Sequence, residues 1–326
     1  MKEKILPSLP ERLLPFFEKC ARDLPWRKQR TPYAVLVSEI MLQQTRVDTV
    51  ISYFNRFMAE LPAIQNLAEA PEEKLLQLWE GLGYYRRVRN LQKAAQMIVH
   101  DFNGEFPPDV KDLLKLPGVG AYTAGAISSI AFGRPAPAVD GNVLRVISRI
   151  TAANWDADTA ASALQKQYPE GRCSDFTESL MELGATVCLP NGVPHCKNCP
   201  VRDICASADD GWQNWPIKPE KKPRKAEQLT VYILQNQGKI AHRRRPDTGL
   251  LAGLWELPNE SGSVPPEHAG KSGRITGVKK GKHIFTHVEW QMTVYFIEAE
   301  QQSAEYTWAE PGELPLPTAF RKFLAR

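Results

Sequence analysis

The stretch Leu116-Pro117-Gly118-Val119-Gly120-Ala121-Tyr122-Thr123-Ala124-Gly125 decides how this chain reads. A helical piece over 110–116 runs into Leu-Pro-Gly-Val-Gly, and another begins near residue 122. The two glycines, Gly118 and Gly120, permit a tight hairpin, since glycine takes turn conformations that other residues resist. The hairpin's peptide N–H groups then point outward at a helix N-terminus. That geometry grips a phosphate through backbone dipoles, without a charged side chain. The plain alternative is a glycine-rich corner between two packed helices.

Outward from the hairpin, residues 1–214 read as helical. Tyr33, Leu36, Val37, Ile40 and Met41 form an i, i+3, i+4, i+7, i+8 stripe behind Thr31 as a cap and Pro32 in the first turn. Val47, Val50, Ile51, Phe54, Phe57 and Met58 form the next stripe. A helix opens near Pro71 with Glu72 and Glu73 in its first turn and stops at the glycines of Glu80–Tyr85. Further helical pieces are predicted at 87–101, 122–132, 142–152, 159–168 and 175–187. Residues 215–228, rich in proline and lysine, read as a linker. From there the period is two. Thr230–Gln235, the turn Asn236-Gln237-Gly238 and Lys239–Arg244 read as a hairpin. His283–Glu300 reads as strands, and the tail from Pro315 as a short helix. The expected architecture is an all-α domain over 1–214 and an α+β domain over 229–326.

Composition narrows the class. The chain has 326 residues, 43% hydrophobic and 24% charged, with a net charge of +4, which is ordinary for folded domains and excludes disordered and fibrous classes. The mild basic excess permits a polyanionic partner. No apolar run reaches the ~18 residues of a membrane helix. The first residues lack the apolar core of a secretory signal. Six cysteines are too few for a disulfide scaffold of this length, and a reducing compartment is expected.

Four of those cysteines, Cys188, Cys196, Cys199 and Cys205, form a C-x7-C-x2-C-x5-C pattern stiffened by Pro190, Pro194 and Pro200. Four thiolates so close can ligate one [4Fe–4S] cluster or one structural zinc ion. A pair of carboxylates also stands out. Glu39 lies about 130° off the apolar stripe of its helix on a wheel of 100° per residue. Asp140 lies just ahead of the helix at 142. Taken singly, Glu39 reads as a solvated helix residue and Asp140 as an N-cap.

Together, Trp26–Thr45, Trp79–Leu91, Leu116–Ile127, Ala138–Val146 and the four-cysteine loop resemble the helix-hairpin-helix DNA glycosylases of the endonuclease III superfamily. Within it the likeness is to the adenine-removing MutY family. The resemblance runs from about Trp26 to Cys205 and resumes in the C-terminal domain. The bifunctional relatives carry a Schiff-base lysine two residues after the hairpin's last glycine. Tyr122 stands there, and a phenol forms no imine with a sugar aldehyde, which argues against an endonuclease III-type lyase on oxidised pyrimidines.

The resemblance implies a monofunctional enzyme that hydrolyses the N-glycosidic bond of adenine mispaired with 8-oxoguanine or guanine in double-stranded DNA. It implies Glu39 as the acid for the departing base and Asp140 as the anion or nucleophile beneath the sugar, with Tyr122 and Asn142 orienting them. Trp26, Arg27, Thr45 and Leu82 are expected at the adenine pocket, and Gln44 and Tyr84 as wedges in the duplex. Ordinary packing is the rival account of Trp26 and Leu82. The cysteines are expected to hold one [4Fe–4S] cluster, although the first gap is seven residues where the family usually has six.

In the second domain, Thr248–Pro258 resembles the start of a Nudix fold. The glutamate-rich helix that holds magnesium in Nudix hydrolases is missing, which argues against a pyrophosphatase. Phe285, Thr286 and His287 stand where the family reads 8-oxoguanine with Phe-Ser-His. The rival account of Phe285 is simple strand alternation. A further alternative for the whole chain is a non-catalytic iron–sulfur DNA-binding protein. A monomer at the bacterial nucleoid, in the cytoplasm and off the membrane, is expected.

Overall fold

The computed structural model describes residues 6–217 and 223–324. The chain divides into two compact units, Met1–Leu78 with Arg86–Pro219, and Trp79–Tyr85 with Glu220–Arg326. The short segment 79–85 therefore groups with the second unit, inside what the sequence reads as one helical domain.

The first unit is helical: α1 (Leu9–Cys20), α2 (Pro25–Lys28), α3 (Pro32–Leu42), α4 (Val47–Glu60), α5 (Ile64–Glu69), α6 (Glu72–Trp79), α7 (Arg86–Asp101), α8 (Val110–Leu113), α9 (Ala121–Ala126), α10 (Gly141–Thr151), α11 (Ala157–Gln165) and α12 (Cys173–Thr186). The expected start of α3 holds: Thr31 Oγ1 accepts from Ala34 N at 3.2 Å, and Pro32 occupies the first turn. The stripe does not describe α3 well, because every residue from Tyr33 to Met41 is buried. A helix covered all round is central to its unit, so an off-stripe position is still interior. Glu39 is therefore interior, and the alternative of a solvated helix residue does not hold.

The hairpin between α8 and α9 is tight. Gly118 has φ +81°, and a Cβ there would stand 2.8 Å from Asn90 Cβ, so glycine is required twice over. Gly120 caps α9 with open space around it. The predicted 122–132 helix is present from Ala121 but changes to a π turn over Ile127–Ala131. At Gly125 a Cβ would meet the Pro137 carbonyl oxygen at 2.2 Å, so this glycine lets the 136–138 segment pass close and lead directly to Asp140.

A core of Leu9, Leu13, Val146, Ile147, Phe176, Leu180 and Leu183 joins α1, α10 and α12. Cys188, Cys199 and Cys205 pack on its edge. Gly184 in α12 lies where a Cβ would come within 3.1 Å of Asn142 Cβ, which brings α12 close to the start of α10.

The second unit is a mixed sheet of β1 (Lys225–Asn236), β2 (Lys239–Arg244), β3 (Trp255–Glu256), β4 (Asn259–Ser261), β5 (Arg274–Ile284), β6 (Val288–Glu298) and β7 (Thr307–Ala309), with α13 (Thr318–Arg321). The spatial order β3-β2-β1-β6-β5 places parallel β1 and β6 at the centre. The expected hairpin turns at Gln237 (φ +49°) and Gly238 (φ +78°). Lys225–Gln228, expected as linker, are already strand, held by eleven-residue parallel pairing to β6 over Lys225–Gln235. Among the described residues no helix lies between β4 and β5, where a Nudix hydrolase carries its metal-binding helix.

Candidate active site

α3 delivers Glu39 and the turn after it, α9 delivers Tyr122, the α10 N-terminus delivers Asp140 and Asn142, and α12 delivers Glu178. These residues line one cavity of about 530 Å³ with Trp26, Arg27, Gln44 and Thr45. Such a volume falls in the roughly 300–1,000 Å³ range of small-molecule sites.

Glu39 is 5% exposed. Desolvation of its carboxylate dominates and pushes its pKa up to about 7. A hydrogen bond from Tyr122 opposes that rise, the charges of Asp140 and Glu178 add to it, and the Arg27 guanidinium opposes it. A carboxyl in this state holds a proton near neutral pH and can give it up, as general acid catalysis requires. Burial also raises the Tyr122 phenol well above its ordinary value, and its hydroxyl lies 3.9 Å from Met181 Sδ.

Asp140 is the N-cap of α10. Its Oδ1 accepts from Asn142 N at 2.9 Å and Val143 N at 2.8 Å, and its Oδ2 accepts from Asn142 Nδ2 at 2.6 Å. The plain N-cap reading is therefore true, and the same carboxylate also faces the cavity. Helix dipoles favour negative charge at that end. Asn142 Oδ1 in turn accepts from Arg145 at 3.0 Å, and Arg145 donates to the carbonyls of Cys188 (3.0 Å) and Gly184 (2.8 Å). A continuous run of hydrogen bonds thus fixes the Asp140 carboxylate against α12.

Arg22, Ser38, Leu42, Glu178 and Met181 also line the cavity and were not anticipated. Trp26 and Arg27 are present as expected. Trp26 also packs edge-on to Phe54 at 5.5 Å, so its cavity and packing roles coexist. Leu82, expected at the pocket, is buried but is not among the described residues that line it. It sits in the 79–85 turn, where its N–H donates to the Trp79 carbonyl.

The two expected wedges share an unusual backbone. Gln44 has φ +58° and Tyr84 φ +50°. Left-handed backbone at a non-glycine residue costs on the order of 1 kcal/mol, and such strain clusters where function over-determines the chain. Arg87 stabilises the turn that carries Gln44, donating to the carbonyls of Ile40, Met41 and Gln43 and to Thr45 Oγ1. Tyr84 is 49% exposed, and its hydroxyl lies 3.0 Å from Thr286 Oγ1. Thr286 and His287 are exposed in the turn from β5 to β6. Phe285 is half-buried, edge-on to Trp290 at 4.9 Å. Strand packing thus describes Phe285 well, while Thr286, bonded to Tyr84, and His287 are exposed.

Cys188, Cys196, Cys199 and Cys205 are unpaired thiols lining a second, apolar cavity of about 30 Å³ with Pro194, Val201 and Arg149. Among the described residues no three potential ligands converge tightly enough to hold a single metal ion. Arg149 donates to Cys188 Sγ at 3.3 Å.

Residues 37–170 match the family described as HhH-GPD superfamily base excision DNA repair protein, and residues 229–326 match the NUDIX domain. The adenine DNA glycosylase of Mus musculus is 34% identical over 391 residues, which covers 95% of this chain and 76% of the mouse protein. The chain belongs to the adenine DNA glycosylase family. Among solved structures, a thermostable thymine-DNA glycosylase has a TM-score of 0.57 at 30% identity, over 63% of this chain and 95% of that one. A non-covalent endonuclease III–DNA complex has a TM-score of 0.54 at 30% identity, again over 63% and 95%. The helical unit carries the match to base excision DNA repair proteins, and the sheet unit carries the match to the NUDIX domain.

Proposed function

We propose that this adenine glycosylase acts on adenine paired with 8-oxoguanine in duplex DNA and leaves the strand intact. One observation carries the mechanism: Glu39 and Asp140, 101 residues apart, line the same cavity. Adenine is a poor leaving group, and protonation at ring nitrogen 7 lets it depart neutral. Glu39, buried and protonated near neutral pH, supplies that proton. The sugar left behind is cationic. Asp140, fixed by two peptide N–H groups and Asn142, supplies the anion beneath it or attacks to give an ester that water opens. Glu39, now ionised, serves as base for that water by microscopic reversibility. Tyr122 offers a phenol and no amine, so the sugar is not captured as an imine.

The base must first leave the stack at a cost of a few kcal/mol. Gln44 and Tyr84, held in strained turns, fill the space it vacates. Trp26, Arg27 and Thr45 receive the base, and the Gly118–Gly120 hairpin holds the backbone phosphate. Thr286, joined to Tyr84, and His287 offer polar groups to the opposite base. Thr286 keeps the hydroxyl of the family's serine and adds a methyl group.

The four thiols suit a [4Fe–4S] cluster. They share one enclosure, and their pattern has one C-x2-C pair with an outer cysteine on each side rather than two separate C-x2-C knuckles. Burial pushes the Cys199 thiol up to about 12, aided by the charge of its sulfur neighbours, so a bound cationic centre would be needed to hold four thiolates together. When bound, the cluster ties the 188–205 loop to the core. Hydrolysis moves no electrons, so the proposed role is structural.

The test is a duplex with adenine opposite 8-oxoguanine. Adenine release with no strand break until alkali is added supports the reading. Strand cleavage without alkali, trapped by borohydride, overturns it in favour of a lyase.

A further inference from the structure

One wall of the cavity is backed by a ladder of ion pairs. α12 presents Asp175, Glu178 and Glu182 on one face, and the segment around α2 supplies Arg22, Arg27 and Arg30. Glu182 is fully buried, with a side-chain exposure of 0%, and it does not line the cavity. Its Oε1 accepts from Arg22 Nε at 2.8 Å, and its Oε2 accepts from Arg22 at 3.1 Å and Arg27 at 2.8 Å. Arg27 is held on every edge. Its Nε pairs with Glu178 at 3.2 Å, and its remaining nitrogen donates to the Arg22 carbonyl at 3.1 Å.

We propose that Glu182 is a positioning residue of the excision site: its carboxylate offsets the guanidinium charge that Arg27, with Arg22 on the same carboxylate, brings to the cavity that Glu39 lines, and so keeps Glu39 able to carry the proton it donates. The inference rests on reading Glu39 as the acid.

The groups around Glu39 support it. α2 brings Arg27, α9 brings Tyr122, the start of α10 brings Asp140 and α12 brings Glu178, while α4 and the π turn contribute only Val47 and Ile130. Arg22 lines the same cavity, and Arg87 of α7 is engaged with the carbonyls that follow Glu39. Arg27 is thus the cation that acts on the Glu39 carboxyl, and it favours the ionised form that cannot protonate a base. Glu182 itself is held ionised: burial works to raise its carboxyl, and the hydrogen bonds from Arg22 and Arg27 outweigh that and lower it. Loss of its negative charge leaves both guanidinium groups less compensated in a desolvated wall, where charges act strongly on one another.

The experiment is the pH profile of single-turnover excision on the full-length protein. The rate falls as pH rises through the ionisation of Glu39. Glu182→Gln should move that midpoint to lower pH by roughly half a unit to one unit. Glu182→Asp keeps the charge and should restore the midpoint even if the rate drops. Arg22→Gln removes a cation at a partly exposed rung, so it should move the midpoint upward; it also covers the case in which Glu182→Gln fails to fold. A purely structural rung would slow excision equally at every pH. Unmoved midpoints in Glu182→Gln and Arg22→Gln overturn the proposal. Full excision by Glu39→Gln would instead overturn the reading on which it rests, so the two failures are separable.

Discussion

Replacing Glu39 by glutamine should make the protein more stable and inactive at once, and the gain should depend on pH. In the folded chain the Glu39 carboxyl titrates near 7, against an ordinary value of 4.5, because its charge is desolvated. A group whose folded value is raised contributes stability below the unfolded value and loses it as pH rises through the folded one. Between pH 4 and pH 8 the wild type must therefore lose stability that Glu39→Gln, which cannot ionise, retains. The gap of 2.5 pH units between 4.5 and about 7, at about 1.36 kcal/mol each, comes to about 3 kcal/mol. Urea unfolding of both proteins, followed by helical circular dichroism at pH 4, 6 and 8, measures it. The difference in unfolding free energy should grow with pH in favour of Glu39→Gln and reach about 3 kcal/mol at pH 8. Parallel pH profiles for the two proteins would refute the argument, since they would mean that Glu39 ionises as easily inside the fold as outside it. A stabilising change that removes activity is the usual sign of a group strained for function.

Three further outcomes follow from the same geometry. Asp140→Ala should abolish excision and also lower stability by about 1 kcal/mol, because the helix loses its cap; calorimetry beside an excision assay reads both. Gly118→Ala should weaken binding to duplexes of any sequence and destabilise by about 1–2 kcal/mol, since the new methyl meets Asn90 and the backbone is left-handed; fluorescence anisotropy with a non-cleavable duplex and urea titration check this. The purified protein should be brown, and Cys196→Ser should lose both the colour and the helical unit's full stability, whereas a colourless protein with one zinc per chain would contradict the cluster.

Much of this was legible in the residues because local chemistry dictates local shape. Thr31 and Pro32 announce a helix start, Gln237-Gly238 a hairpin, and Gly118 a left-handed turn. The Asp140 cap is equally local. What the residues hid depends on partners far away in the chain. The burial of Glu39 follows from helices packing on every side of α3, which no stripe within eleven residues reveals. Glu178 and Glu182 look like ordinary helix acids until Arg22, Arg27 and Arg30, about 150 residues earlier, are set against them. Leu82 is buried in the turn after α6, where its N–H donates to the Trp79 carbonyl, and it is not among the described residues that line the cavity. The parallel pairing of β1 with β6 also reaches four residues into the expected linker, because β6 supplies partners that the proline-rich composition did not suggest.

The central claim is that a buried acid and a capped carboxylate in one cavity release adenine together. Single-turnover release of free adenine by Glu39→Gln, measured beside its affinity for the mispaired duplex, tests it most directly. The account predicts near-normal binding with excision lowered by at least ~100-fold, the scale of a lost general acid. Excision within a few-fold of wild type at unchanged affinity would contradict it.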